Sequence, residues 1–218
     1  MSVKSWKREQ VLGTRLHLIE TATTLFGERG FAATPLEEVV ARAGLTRGAV
    51  YHHFKDKRAL FEDVLDELLL AVVNDVERRT VKRAAKRGVE REGDVIEFFV
   101  EALREPRTHQ ILSVDGPSVL GRDRWSDLLG ARLLDPLRRI VETGAARRRL
   151  PARLVPAITH LLFGAVQEAA LLSERGRRRS ATSEPGHGAR GSRLTKAEID
   201  DALAWLLESL LGRDSEPA

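Results

Sequence analysis

The sequence predicts an all-α protein. Three observations carry that prediction. Apolar residues recur at spacings of three and four along nearly every segment, helix start and stop signals punctuate those segments, and no stretch keeps the apolar–polar alternation of a strand. The first stripe is Leu12, Leu16, Ile19, Ala22 and Phe26. It ends near Arg29-Gly30, where glycine suits a left-handed C-terminal cap.

Thr34-Pro35-Leu36-Glu37 then reads as a capping box. In it the Thr34 hydroxyl accepts from the Glu37 amide, Glu37 reaches back to the Thr34 amide, and Pro35 takes the first helical position. The short helix that follows, Pro35 to Ala43, carries Leu36, Val39, Val40 and Ala43 and stops at Gly44. Thr46 caps a second short helix, Arg47 to Phe54, and Asp56 caps a long one reaching about Arg79. Thr80 to Gly93 is polar, with ends the pattern does not place. Asp94 to Leu103 and the surroundings of His109 are helical, and Asp115-Gly116-Pro117 signals a turn. Asp123 to Thr143 is a longer helix, with a kink or boundary at Pro136. Pro151 and Pro156 precede an apolar helix, Ala157 to Glu174. Residues 175–193, rich in Gly, Ser and Arg and without periodicity, read as a mobile loop. Thr195-Lys196-Ala197-Glu198 is a second capping box. It opens a last helix with Ile199, Ala202, Leu203, Leu206 and Leu210 on one face, Trp205 and Leu207 beside it, and an end at Gly212.

Composition narrows the class. A chain of 218 residues makes one large domain or two small ones, with 42% hydrophobic and 31% charged residues. It has no Cys, so neither a disulfide nor a thiolate metal site is expected, and a cytoplasmic setting is favoured. Met1 to Gln10 does not resemble a signal peptide, and no apolar run approaches the roughly 20 residues that span a bilayer. The net charge is +4 with a pI near 9.7. That balance permits nucleic-acid binding without requiring it. No nucleophile–base set, zinc-protease motif or phosphate loop occurs, so an enzyme is not expected, and neither is a cofactor or a metal.

The basic residues are not evenly spread: Lys4, Lys7, Arg8 and Arg15 are followed by Arg47, Lys55, Lys57 and Arg58. Two short helices joined by a glycine turn are the helix-turn-helix pattern, with Leu36, Val40, Leu45 and Val50 as shared core. The second helix would enter the major groove. Arg47 suits a guanine edge, Gly48 and Ala49 allow close approach, and Tyr51 and His52 can reach a phosphate or base. Thr34 and Thr46, at helix N-termini, and Lys55 and Lys57 suit phosphate. The adjacent His52 and His53 diverge by about 100° on a helix and are poorly placed to share a metal ion.

The run Leu12 to about Leu70 resembles the DNA-binding domain of the TetR family of bacterial transcriptional regulators. Phe26-Gly27-Glu28-Arg29-Gly30-Phe31, Thr34, Ala43-Gly44-Leu45-Thr46-Arg47-Gly48 and Tyr51-His52-His53-Phe54-Lys55-Asp56-Lys57, followed by Leu60 and Phe61, carry the likeness. Val40 stands where the family commonly has Ala. The run Val114 to Trp125 looks like a motif of some members.

The resemblance implies a three-helix DNA-binding domain (1–55) and a larger helical ligand-binding and dimerisation domain (56–218). It also implies a homodimer on palindromic double-stranded DNA and repression relieved by a small molecule. The residues themselves suggest a dimer face on the last two helices, from Leu161, Gly164, Ala165, Ala169, Ala170, Leu172, Leu203, Leu206 and Leu210. They also suggest a pocket for a small apolar or amphipathic ligand among Phe98, Phe99, His109, Trp125, Leu129, Phe163 and Gln167.

Overall fold

The computed structural model describes residues 3–88, 92–181 and 195–211, and among these every regular element is helical. They gather into two compact units: Met1–Ala71 with Glu105–Leu128, and Val72–Arg104 with Leu129–Ala218. The expected division at 55/56 falls inside the first.

The first unit begins with α1 (Val3–Arg29), α2 (Leu36–Arg42) and α3 (Arg47–His53). Helix α1 buries Leu18, Ile19, Ala22, Leu25 and Phe26, whereas Leu12 and Leu16 of the same stripe stay exposed. It closes as expected on Gly30, at φ +81°. The rings of Phe26, Phe31 and Phe61 form a cluster with centroids 5.1–5.6 Å apart, a spacing that favours tilted aromatic contact. Leu36, Val39 and Val40 of α2 and Val50 of α3 are buried, and Gly44 at φ +65° makes the turn between those helices. Leu45 is only half-buried.

Helix α4 (Lys57–Arg87) begins with the expected cap, the Asp56 carboxylate accepting from the Ala59 amide at 2.7 Å. It runs past Arg79. Its first turns bury Leu60, Phe61, Val64 and Leu65 completely. Each such side chain contributes about 1.5–3 kcal/mol of apolar burial.

The rest of the first unit is α6 (Pro106–His109), a π-helical stretch Gln110–Asp115, α7 (Gly116–Leu120) and the start of α8 (Arg122–Arg148). The turn expected at Asp115-Gly116-Pro117 is a helix instead. Pro117 sits in the first turn of α7. Gly116 is required by packing, because a Cβ there would lie 2.6 Å from the Trp125 ring.

The second unit holds the remainder of α4 and α8, with α5 (Glu92–Arg104), a 3-10 turn Ala152–Leu154, α9 (Val155–Ala181) and α10 (Lys196–Leu211). Pro136 lies within an unbroken α8. Helix α5 packs on α9, and α10 on both. Ile96, Phe99, Leu103, Leu162, Val166, Leu203 and Leu207 lie in this core. The buried Arg104 joins α5 to α10 through Asp200, 2.7 Å away. The second capping box forms as expected: the Thr195 amide donates to Glu198 at 2.6 Å, the Glu198 amide donates to the Thr195 hydroxyl at 3.2 Å, and these bonds hold the Glu198 carboxyl below its ordinary pKa. Helix α9 runs through Arg175 to Ala181, so the first part of the expected loop is helical. The rest of that loop lies outside the described residues. No helix among the described residues is long and apolar enough to cross a membrane.

Candidate nucleic-acid interface and ligand cavity

Helix α3 is seven residues long and has two unlike faces. Val50 and the following Phe54 are buried. Arg47, Gly48, Tyr51 and His52 are exposed, and so are Thr46 just before the helix and Lys55 just after it. Positions 47, 48, 51 and 52 share one side by helical periodicity, and Lys55 follows beyond the extended Phe54. Thr46 is the cap foreseen, accepting from the Ala49 amide at 3.3 Å. A Cβ added to Gly48 would meet nothing within 4 Å, so this face is open. Ala49 is half-buried and recessed from it. The Arg47 guanidinium lies 3.2 Å from Glu37 and 5.6 Å from the centre of the Tyr51 ring. The hydrogen bond to Tyr51, with the nearby Glu37 charge, raises its pKa.

Two residues assigned to phosphate face inward. Thr34 is fully buried, and its hydroxyl donates to the Gly30 carbonyl at 2.8 Å, with Leu25 at 3.4 Å. The expected first capping box is therefore absent: Pro35 occupies the cap position and makes no side-chain cap bond. Glu37, free of that duty, faces Arg47. Lys57 is also drawn in. Its ammonium donates to the carbonyls of Phe31 (2.8 Å) and Thr34 (3.0 Å) and lies 4.0 Å from the Phe31 ring centre. Burial lowers its pKa, and Asp115 opposes that shift.

Sequence reasoning gave Asp115 no role beyond a turn. In the structure its buried carboxylate accepts from the Phe31 amide at 2.8 Å. The loop after α1 is thus held from one side by Lys57 and from the other by Asp115. Gly30 fits this arrangement, because a Cβ there would lie 3.1 Å from the Gln110 amide nitrogen. Arg58 ties in the end of α7 through the carbonyls of Val119 (3.2 Å) and Leu120 (3.1 Å). His53 is half-buried, unlike His52, and burial lowers its pKa, with His52 and Arg15 adding to the shift.

In the second unit, α4, α5 and α8 line a cavity of about 560 Å³ that is open to solvent. Val76, Val81, Val95, Phe99, Pro136 and Ile140 give it apolar walls, while Glu77, Thr80, Arg139, Thr143 and Arg147 are its polar lining. Of the seven residues expected in a pocket, Phe99 alone lines this one. Phe98 is buried beneath the guanidinium groups of Arg79 and Arg83, each 4.0 Å from its ring centre. Leu129 is core and Phe163 and Gln167 are half-buried on α9. His109 and Trp125 belong to the first unit, His109 buried and Trp125 donating to the Leu112 carbonyl at 2.8 Å. The signal overlooked was the i, i+4, i+8 spacing of Arg139, Thr143 and Arg147 along one side of α8.

The residues expected at a dimer face divide. Leu161, Gly164 and Leu206 are exposed, Ala165 and Leu172 are half-buried, and Ala169, Ala170 and Leu203 are core. Leu210 lies on α10. Trp205, which stood only beside that set, is exposed.

A capped recognition helix with a bare polar face, mounted on a packed helical scaffold, defines a helix-turn-helix DNA-binding protein. Comparison with known proteins agrees. Sequence models match "Bacterial regulatory proteins, tetR family" over residues 18–64 and "Tetracyclin repressor-like, C-terminal domain" over residues 89–187. The chain is 42% identical over 57 residues to the HTH-type transcriptional regulator AcrR of Shigella flexneri, 26% of each chain. It is 43% identical over 61 residues to the HTH-type transcriptional regulator TtgR of Pseudomonas putida, 28% of this chain and 29% of that one. These matches thus span less than a third of the curated relatives. A crystal structure of a TetR-family transcriptional regulator from Pectobacterium atrosepticum superposes over 97% of this chain and 99% of that one, with a TM-score of 0.68 and 27% identity. The chain belongs to the TetR family of bacterial regulatory proteins.

Proposed function

We propose that the chain is a cytoplasmic, dimeric transcriptional repressor that binds a palindromic operator and is released from it by a small molecule. The observation that carries this reading is the face of α3. Arg47, Tyr51 and His52 are exposed there on one side of a helix whose other side is core, with Lys55 exposed just beyond its end. Arg47 supplies the base-reading donors, Gly48 lets the backbone approach, Tyr51 and His52 reach bases or phosphates, and the Thr46 turn and Lys55 meet phosphate. In this reading Thr34 and Lys57, whose hydrogens are taken up by the Gly30, Phe31 and Thr34 carbonyls, support the recognition helix from behind.

Dimerisation is assigned to α9 and α10. Leu161 is 74% exposed, Trp205 67% and Leu206 43%, large apolar side chains on two helices that pack together, where a partner surface would bury them. A second copy reads the second half-site, so its separation from the first sets operator affinity. The cavity between α4, α5 and α8 takes the ligand. A ligand that favours the arrangement unfit for DNA lowers operator affinity by the same factor that DNA lowers its own.

The test is selection of bound duplexes from a random pool, followed by affinity against salt. Recovery of a palindrome whose binding weakens steeply with salt supports the reading. Failure to enrich any sequence refutes it.

A further inference from the structure

We infer that Glu37 is a specificity-determining positioning residue: it fixes the Arg47 guanidinium so that Arg47 reads one base pair instead of swinging to a phosphate. This rests on the reading of α3 as the operator-reading helix and deepens it.

Glu37 lies outside α3, in the first turn of α2, yet its carboxylate stands 3.2 Å from Nη2 of Arg47. The backbones that carry the two are fixed to each other. Val39 and Val40 follow Glu37 into the core, and Val50 of α3 is buried with them. The Gly44 amide donates to the Ala41 carbonyl and the Leu45 amide to the Val40 carbonyl, each at 3.1 Å, and these bonds close the turn between the helices. The side chains themselves stand at the surface, Arg47 67% and Glu37 63% exposed. The neighbouring charges are engaged elsewhere. Glu38, in the same turn, pairs with Arg29. Lys57, a second cation near Glu37, donates to the carbonyls of Phe31 and Thr34.

Arg47 is thereby held from two directions. The Tyr51 ring centre is 5.6 Å from its guanidinium carbon, and Glu37 engages one terminal nitrogen. A guanidinium carries five N–H donors in a rigid plane. A carboxylate at one nitrogen and a ring nearby restrict that plane and leave donors for the O6 and N7 of a guanine. An arginine free to swing would be satisfied by a phosphate, which carries no sequence information. In water an exposed pair of this kind contributes little to stability. Against DNA, water is displaced, the effective dielectric falls and the same contact strengthens. Glu37 also opposes binding, because a carboxylate beside the duplex repels phosphate whatever the sequence. The two effects are separable. Repulsion acts on all sequences alike and fades with salt, whereas orientation acts at one base pair.

The test uses the full chain, the operator recovered by selection, and a panel of operators each altered at one position in both half-sites. Arg47→Ala locates the base pair that Arg47 reads, as the position whose penalty for a wrong base disappears. In the unaltered chain that penalty should be about 10-fold or more. Glu37→Ala should cut it at least about threefold, leave the penalties at other positions unchanged and raise affinity for non-operator DNA at low salt. Glu37→Asp keeps the charge and the first-turn acid but draws the carboxylate back by one methylene. It should lose the same selectivity without the rise, and it decides the matter if melting curves show Glu37→Ala to be unfolded. In the Arg47→Ala background, Glu37→Ala should alter no position. Penalties that stay unchanged in Glu37→Ala and Glu37→Asp overturn the proposal. So does a loss spread evenly over all positions, which would mark Glu37 as a charge alone. A penalty that Glu37→Ala removes in the Arg47→Ala background overturns it too, since Glu37 would then accept from a base itself. If Arg47→Ala disturbs no position, the proposal falls while sequence-specific binding stands. If selection recovers no operator, the reading of α3 fails and the proposal with it.

Discussion

Two threonines and two lysines near one another in the chain have opposite fates. Thr46 and Lys55 stand in water on the face of α3; Thr34 and Lys57 are turned into the scaffold behind it. The residue types are the same, and what differs is whether the protein supplies acceptors first. Around the Phe31 loop it does: carbonyls of Gly30, Phe31 and Thr34 take the hydroxyl and ammonium hydrogens. Around α3 the helix satisfies its own backbone and leaves the side chains to solvent. A polar residue is therefore available for recognition only where the local fold has no use for its hydrogens.

The contrast is most exposed to disproof at Arg47 and Tyr51. Replacing both with Ala should reduce operator affinity by about 100-fold or more and leave the melting temperature unchanged, as read by anisotropy and calorimetry. Unchanged affinity would erase the distinction. The converse is expected at the inner cluster. Asp115→Ala leaves the Phe31 amide without its acceptor and should cost about 1–3 kcal/mol of stability. Asp115→Asn, which keeps an acceptor oxygen, should restore most of it. A denaturant titration checks both.

A smaller effect separates the two lysines. Lys55→Ala should lower the slope of log affinity against log salt by about 1. Lys57→Met should leave that slope alone and lower the denaturation midpoint. The smallest effect is that of pH. His53 has a folded pKa below its ordinary value near 6.5, so the unfolded chain takes up the proton more readily. Its contribution to stability is complete above about 6.5 and is lost as pH falls through the lower folded value. His53→Gln should flatten the fall in melting temperature between pH 7 and pH 5.

The helices were legible because periodicity and caps are local: Gly30, Gly44, Thr46, Asp56 and the Thr195–Glu198 box all act where the pattern put them. Thr34 was not, because Thr-Pro-Leu-Glu reads identically whether its hydroxyl turns forward to a helix or back to Gly30. The preceding loop decides, and that loop is positioned by Asp115, 84 residues away from Phe31 in sequence. The cavity was obscured for a different reason. Aromatic residues drew attention, yet Phe98 is roofed by two arginines and Trp125 is tied to Leu112. Arg139 and Arg147 look in sequence like an ordinary solvated helix face.

The π-helical stretch Gln110–Asp115 makes the chain's length itself a variable. A π-turn accommodates one residue beyond the α-helical frame. Deleting a residue between Gln110 and Val114 would let the backbone revert to ordinary α-helical winding with Asp115 kept in register with the residues before the deletion, whereas inserting one more would carry Asp115 around the axis by about 100°. After such an insertion the carboxylate would leave the Phe31 amide although no residue of the helix-turn-helix had changed. Single-residue insertions in this short segment thus act as a vernier on the DNA-reading head, a means of adjustment no point substitution in α3 provides.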